Sequence, residues 1–300
     1  MQRAFAIHLL WIVPCLLALA WMESQWPLAA IAVFVVLTLS LGFAHGAMDI
    51  WLLCDAQGKL SVASAVSYAT AATALAVVLA AWPGLALIVL IGLSIWHFGE
   101  QAHFEHANLR VAWLLRTVQG GASVMLPVLL SPTALLPWVK AIAGDDAVWV
   151  WPLWVGMAAL WCALLLSAAV VIRPWQVGAL KTLWLELISL LFLNLLLSPL
   201  LSFALFFGLY HSGMHVWRMR RLQQRADKGL HIHLLGATLM ATWMALAALL
   251  WWMPVLPYSL QGSAQDAGQL LQWLVVALAA VTLPHLVLVS RARQQLFMAS

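Results

Sequence analysis

Apolar runs of about 20 residues recur along the whole sequence, and they restrict the folds that it can adopt. A helix needs about 20 apolar residues to cross a hydrocarbon layer, because each residue advances the helix by about 1.5 Å. Hydrophobic residues make up 65% of the 300 residues and charged residues only 8%, whereas about a quarter of a soluble domain is charged. The sequence therefore predicts an all-α fold, a polytopic transmembrane helical bundle. Since no linker-like stretch divides it, we expect a single domain over 1–300.

Ten apolar segments can be counted, so we expect about ten helices. The stretch 178–217 is too long for one crossing, and Ser198-Pro199 offers a break near its middle because proline interrupts a helix. The first segment has a basic start and an apolar core, as signal peptides do, but its length favours a helix that is retained. The ten segments are 4–22, 28–53, 61–82, 84–104, 112–131, 147–172, 178–197, 199–217, 231–252 and 267–290.

Lysine and arginine residues give the direction of these helices, because they collect in the cytoplasmic loops of membrane proteins. With the N-terminus inside, thirteen of the fourteen positive residues fall on the cytoplasmic side and only Lys140 falls outside. This distribution predicts N-in and C-in topology in the cell inner (cytoplasmic) membrane. It also explains the formal net charge of +4, so we expect contact with membrane lipid and not with nucleic acid. The thirteen residues are Arg3, Lys59, Arg110, Arg116, Arg173, Lys181, Arg218, Arg220, Arg221, Arg225, Lys228, Arg291 and Arg293.

Five histidines lie at a similar depth in this arrangement. His211 and His215 are four residues apart on the eighth predicted helix, and a helix brings such a pair onto one face. His45, His97 and His285 lie on the second, fourth and tenth helices, roughly 3–12 Å from the cytoplasmic ends. Imidazoles at membrane depth need partners, and neutral imidazoles suit iron, zinc or copper. The pattern favours one metal site, although a single intramembrane histidine can also serve as a helix-to-helix hydrogen bonder.

Three acidic residues lie near the same layer. Asp49 follows His45 by one helical turn, Glu100 follows His97 by three residues, and Glu186 lies at a comparable depth on the seventh helix. A histidine that binds a metal usually donates its other ring N–H to a carboxylate or carbonyl. We therefore interpret these acids as groups that orient the ligands and tune the site without binding the metal themselves.

Four short motifs resemble those of the Brp/Blh family and occur in the same order as in that family. Its members are bacterial and archaeal membrane enzymes that cleave β-carotene centrally into two retinals. The resemblance runs from the second predicted helix to the tenth. Each motif alone is weak, and together they are specific. They are Gly42-x-x-His45-Gly46-x-x-Asp49, Trp96-His97-Phe98-Gly99, His211-x3-His215 and Pro284-His285.

The resemblance implies a non-haem Fe(2+) centre held by residues matching His45, His97, His211 and His215. It implies β-carotene or a related carotenoid and O2 as substrates, oxygen-dependent cleavage at the 15,15′ double bond, and a functional link to a retinal-binding rhodopsin. We expect His285 to stand beside the ligands without binding the metal, because Pro284 loosens the helix before it.

Other functions fit the histidines less well. A haem electron carrier would pair axial histidines from different helices, whereas two histidines four residues apart on one helix face the same metal centre. A metal or proton transporter would place polar groups through the full membrane thickness, and none of these histidines lies in the outer half. A membrane di-iron desaturase needs several histidine boxes in cytoplasmic loops, whereas His211 and His215 lie inside an apolar run.

The charge distribution predicts the positions of two reporter fusions. A reporter at the C-terminus is expected to be active in the cytoplasm, and one inserted near Gly262 is expected to be active outside, because the tenth helix lies between these points. Paired reporters that work on opposite sides of the membrane would measure both. A periplasmic C-terminus would contradict the shared depth of the histidines.

Overall fold

The computed structural model describes residues 2–42, 46, 49–54, 60–100, 109–171, 177–217 and 264–298. Over these ranges the chain is helical and contains no β-strand, as the sequence predicts. Two helices continue as π-helices, α2 over Thr38–Gly42 and α10 over Leu205–His211. The helices are α1 (Gln2–Gln25), α2 (Pro27–Leu37), α3 (Asp49–Leu52), α4 (Val62–Ala81), α5 (Pro83–Glu100), α6 (Leu109–Leu130), α7 (Pro132–Ala143), α8 (Ala147–Val171), α9 (Val177–Leu196), α10 (Pro199–Ala204) and α11 (Ala264–Met298).

Five stretches of the described residues are long and apolar enough to cross a membrane. They are α4, α5, most of α6, the pair α7 and α8, and the middle of α11. Two shorter apolar stretches lie in α2 with its π-helix and in α9. By helix length and composition the chain is a multi-pass membrane protein. The ninth predicted segment, 231–252, lies outside the described residues.

The predicted division of the stretch 178–217 is confirmed. Helix α9 ends at Leu196, and α10 begins at Pro199. The Ser198 hydroxyl accepts a hydrogen bond from the Leu201 N–H at 3.4 Å, which caps α10. The Ser198 N–H donates to a Glu23 carboxylate oxygen at 2.9 Å. This break therefore also fixes α10 against the end of α1.

Helix α7 was not predicted from the sequence, where Lys140 was assigned to an external connection. Pro132 occupies its first turn, and Gly144 ends it with a φ of 57°. Its 12 residues extend only about 18 Å, which is too short to cross the membrane. A search for full crossings misses such a helix. It packs against α11, α5 and α8.

The two π-helices lie against each other in the bundle interior. The second is stabilised by Ser212, whose hydroxyl donates to the Phe207 carbonyl oxygen at 2.7 Å. Glycines allow the close approach: a Cβ at Gly208 would lie 2.9 Å from the Leu37 carbonyl oxygen, and one at Gly42 would overlap the Phe207 ring. Wide turns of this kind often occur at functional sites.

Helices α5 and α6 also pack closely, and glycine makes this possible. A Cβ at Gly99 would overlap the Arg116 carbonyl oxygen, and one at Gly120 would overlap the Ile95 carbonyl oxygen. Small residues bring helix backbones together in this way in membrane bundles. The crossing determines the position of the last turn of α5, which carries His97.

Substituting Gly120 by alanine is expected to push α5 and α6 apart and to lower the free energy of unfolding by about 1–3 kcal/mol, the usual effect of overpacking. Gly92→Ala, on the same helix as His97, is the matched control. A Cβ there meets nothing within 4 Å, and alanine stabilises a helix by about 0.5–1 kcal/mol relative to glycine. Unfolding in detergent measures both variants, and equal stability of the two would refute the close crossing.

Candidate metal centre

Four histidine rings form a buried cluster in the bundle. The ring of His97 is central: the centroids of His211, His285 and His215 lie 4.6, 4.8 and 6.4 Å from its own. The rings of His215 and His285 are also neighbours, with centroids 5.2 Å apart. At most 5% of any of these residues is exposed. The structure thus brings together four of the five histidines that the sequence places at one depth.

Three helical segments present these rings. His97 lies in the last turn of α5, and His285 follows Pro284 in α11. His211 is the last residue of the π-helix that continues α10, and His215 lies one turn later. Both residues of the predicted i, i+4 pair therefore face the ring of His97.

Phenylalanine rings cover one side of the cluster. The Phe98 ring meets that of His211 edge to face at 4.6 Å, and the Phe207 ring stacks on it at 5.7 Å with an interplanar angle of 21°. Phe206 packs against Phe98, with ring centroids 5.0 Å apart. All three phenylalanines are buried. This cover gives the imidazoles an apolar surrounding on that side.

Asp49 connects the cluster to a neighbouring helix. One of its carboxylate oxygens lies 2.7 Å from Nδ1 of His285, and the other accepts a hydrogen bond from the Tyr68 hydroxyl at 2.9 Å. Asp49 is only 4% exposed. A carboxylate that accepts from Nδ1–H leaves Nε2 of that ring as the basic nitrogen. The acid therefore orients His285, a contact that the sequence did not predict.

The other two predicted acids contact residues around the cluster. Glu100 accepts hydrogen bonds from Trp96 Nε1 and from the Ser290 hydroxyl, both at 2.9 Å, and so it joins α5 to α11.

Glu186 accepts a hydrogen bond from the Gln119 amide at 2.6 Å and one from the Tyr210 hydroxyl at 3.3 Å. It thereby joins α9 to α6 and to the π-helix that ends at His211. Each of the two acids thus braces a helix that carries a cluster histidine.

His45, the remaining predicted ligand, lies outside the described residues. Asp49 follows it by four residues and lies against His285.

The donor set suits a divalent first-row metal ion, because neutral imidazoles bind such ions well. The Nε2 atoms of His97 and His211 face each other at 2.9 Å, which is hydrogen-bond distance. Within the described ranges, no three His, Cys, Asp or Glu side chains already form a complete metal-binding group. A metal there would need His45, or a turn of the His215 or His285 ring, to complete its ligands.

Two polar residues at this level were missed by sequence reasoning. Tyr68 is one of only three tyrosines in the chain, and its position in an apolar helix was a signal that it needs a partner. Gln119 lies in α6 and contacts Glu186. An uncharged amide in a long apolar run gives a weaker signal than a histidine does.

Comparisons with known proteins agree with one another. The family described as beta-carotene 15,15′-dioxygenase matches residues 36–292. A protein named beta-carotene 15,15′-dioxygenase, from uncultured marine bacterium 66A03, is 24% identical over 279 residues, which covers 89% of this chain and 94% of the relative. No solved structure matches the chain.

Removing the Tyr68 hydroxyl tests the contact with Asp49. Tyr68→Phe is expected to lower the free energy of unfolding by about 1–3 kcal/mol, because a buried carboxylate oxygen loses its donor. Tyr210→Phe is the matched control, since that hydroxyl reaches Glu186 at 3.3 Å from a residue that is 43% exposed, and its loss is expected to change stability by less than about 1 kcal/mol. Thermal unfolding in detergent compares them, and an equal or larger effect of Tyr210→Phe would contradict the buried contact.

Proposed function

This chain belongs to the β-carotene 15,15′-dioxygenase family, and we propose that it cleaves β-carotene at the central 15,15′ double bond into two molecules of retinal, with O2 as co-substrate and Fe(2+) as cofactor. The family and the relative make it a carotenoid cleavage dioxygenase. The observation that supports the proposed iron is the buried cluster of four histidine side chains. Imidazoles without thiolate suit a ferrous ion with open positions.

We assign His45, His97, His211 and His215 as the iron ligands. The buried contact of the rings of His211 and His215 with that of His97 supports three members of this set. His285 stands beside it, and its contact with Asp49 is the arrangement by which proteins hold a histidine in one tautomer and orientation. We propose that this contact positions His285 against the ligand rings, from which it shapes the site.

Iron, when bound, supplies the binding and activation of O2. The chain's own residues exclude water, since the rings of Phe98 and Phe207 lie directly against His211. A dry site protects reactive species from side reactions with water. Asp49 holds the ring of His285 in place through its contact with Nδ1. The acids Glu100 and Glu186 hold the helices that carry the ligands in place.

We propose that the fold has about ten membrane helices with both ends in the cytoplasm, in the cell inner membrane. The thirteen-to-one charge distribution supports this orientation, and the five long apolar helices support insertion. An apolar polyene is dissolved in the bilayer and reaches the site from the side. The product retinal gives the proposed functional link to a retinal-binding rhodopsin.

A haem electron carrier is less well supported than a non-haem site. Such a carrier would pair histidines from different helices, whereas His211 and His215 come from one helical segment and both lie against the ring of His97.

Replacing any of the four assigned ligands by alanine is expected to abolish retinal formation and iron binding, because hydrocarbon cannot fill the coordination position. His285→Ala is expected to retain some activity, reduced about 10–100-fold as for other groups that orient ligands. Iron per purified protein and retinal yield from β-carotene measure both effects. Each variant must insert and unfold like the parent protein.

Two results would contradict this assignment. One is full activity in a preparation that stays free of iron, and the other is full activity in two of the four alanine variants. Complete loss of iron in His285→Ala would instead make His285 a ligand.

A further inference from the structure

Tyr68 differs from the other hydroxyl-bearing residues of α4 in the direction it faces. It is half-buried, and its hydroxyl donates a hydrogen bond to one carboxylate oxygen of Asp49 at 2.9 Å. A polar group on an apolar helix needs such a partner. The hydroxyl of Tyr68 thus links α4 to α3. The remaining hydroxyl-bearing residues within α4 are exposed, namely Ser64, Ser67, Thr70 and Thr73.

Asp49 transmits this contact to the histidine cluster. Its second carboxylate oxygen lies 2.7 Å from Nδ1 of His285. The terminal torsion of an aspartate side chain has only a weak preference of its own, so its partners determine how the carboxylate is turned. Because the two oxygens belong to one planar group, the hydrogen bond from Tyr68 to one oxygen also limits where the other oxygen points.

His285 is the point at which this chain of contacts reaches the proposed ligands. Its ring centroid lies 4.8 Å from that of His97 and 5.2 Å from that of His215. His285 follows Pro284, which has no N–H and leaves the helix without one of its backbone hydrogen bonds. The direction of the His285 ring therefore depends strongly on its side-chain contact with Asp49.

The backbone of α11 has a separate tether. The Ser290 hydroxyl, five residues beyond His285, donates to Glu100 on α5 at 2.9 Å. Helices α4 and α11 also pack directly against each other. Loss of the Tyr68 hydroxyl therefore leaves the helices held together and frees the carboxylate of Asp49 to turn. Its main effect is expected on the ring of His285 and not on the position of α11.

We propose that Tyr68 is a positioning residue of the metal centre, which acts through Asp49 to fix the ring of His285 against His97 and His215. The inference rests on the proposed function, and it adds a residue that lies outside the four sequence motifs. It also gives a role in the site to α4, a helix that carries none of the proposed ligands.

The first test follows the ring of His285 in iron-free protein by NMR with isotope-labelled histidine. The His285 signals are those that disappear in His285→Ala. A strongly hydrogen-bonded N–H is expected at Nδ1, and it is expected to shift or broaden in Tyr68→Phe because Asp49 can then turn. Ser67→Ala removes an exposed hydroxyl from the same helix and is expected to change nothing. An unchanged signal in Tyr68→Phe, or an equal change in Ser67→Ala, would overturn the proposal.

The second test measures Fe(2+) affinity without oxygen, and then turnover. Tyr68→Phe is expected to lower both Fe(2+) affinity and kcat by about tenfold, the lower end of the usual effect of removing a group that orients a metal site. KM for β-carotene is expected to stay the same, because Asp49 and His285 separate the hydroxyl from the proposed ligands.

Val150→Ala controls for a general loss of stability. Val150 is fully buried on α8, so deleting its methyl groups destabilises the bundle at a helix that carries none of the proposed ligands. Its Fe(2+) affinity and kcat are expected to match those of the parent protein. Equal losses in Val150→Ala and Tyr68→Phe would show a merely structural effect and overturn the proposal, as would no loss in Tyr68→Phe.

A double-mutant cycle shows whether Tyr68 acts through Asp49. In the Asp49→Ala background, Tyr68→Phe is expected to cause no further loss of Fe(2+) affinity, because residues in one hydrogen-bond network are not additive. Losses that add would mean that the two residues act independently, contrary to the proposal. If Asp49→Ala does not fold, the NMR comparison of Tyr68→Phe with Ser67→Ala decides the question.

The NMR signal keeps this proposal apart from the proposed function, since it needs neither iron nor substrate. If the His285 signal responds to Tyr68→Phe but the parent protein forms no retinal, the proposed function fails and the positioning role stands. If the parent protein forms retinal and the signal does not respond, the positioning role fails and the proposed function stands.

Discussion

A neutral imidazole inside a membrane bundle must find polar partners, because hydrocarbon offers none. This chain meets that requirement by placing histidines from three helical segments against one another, with Asp49 as the nearest charged partner. The helices that carry them must then cross at one level, and this fixes much of the surrounding architecture. The acids Glu100 and Glu186 bond across helix pairs at the same level. Several polar contacts between helices therefore lie at the level where the chemistry is proposed.

Such a crossing requires backbones to approach one another closely, and glycine provides this at two places. Gly99 and Gly120 bring α5 against α6, and Gly208 brings the second π-helix against α2. The π-helix itself widens the turn before His211, with Ser212 bonded to a carbonyl oxygen inside it. Packing and ligand geometry are therefore coupled, so a substitution that separates these helices also moves a histidine ring.

The sequence predicted features that depend on composition and spacing. The helical class, the break at Pro199 and the meeting of His97 with His211 all follow from apolar length and the burial of polar groups. It did not predict α7, because a helix of about 18 Å resembles a loop in a search for full crossings. The π-helices were missed because backbone hydrogen bonding with a wider turn leaves no composition signal. The contact of Asp49 with His285 was not predicted, since contacts between distant segments depend on how helices rotate, which periodicity alone does not determine.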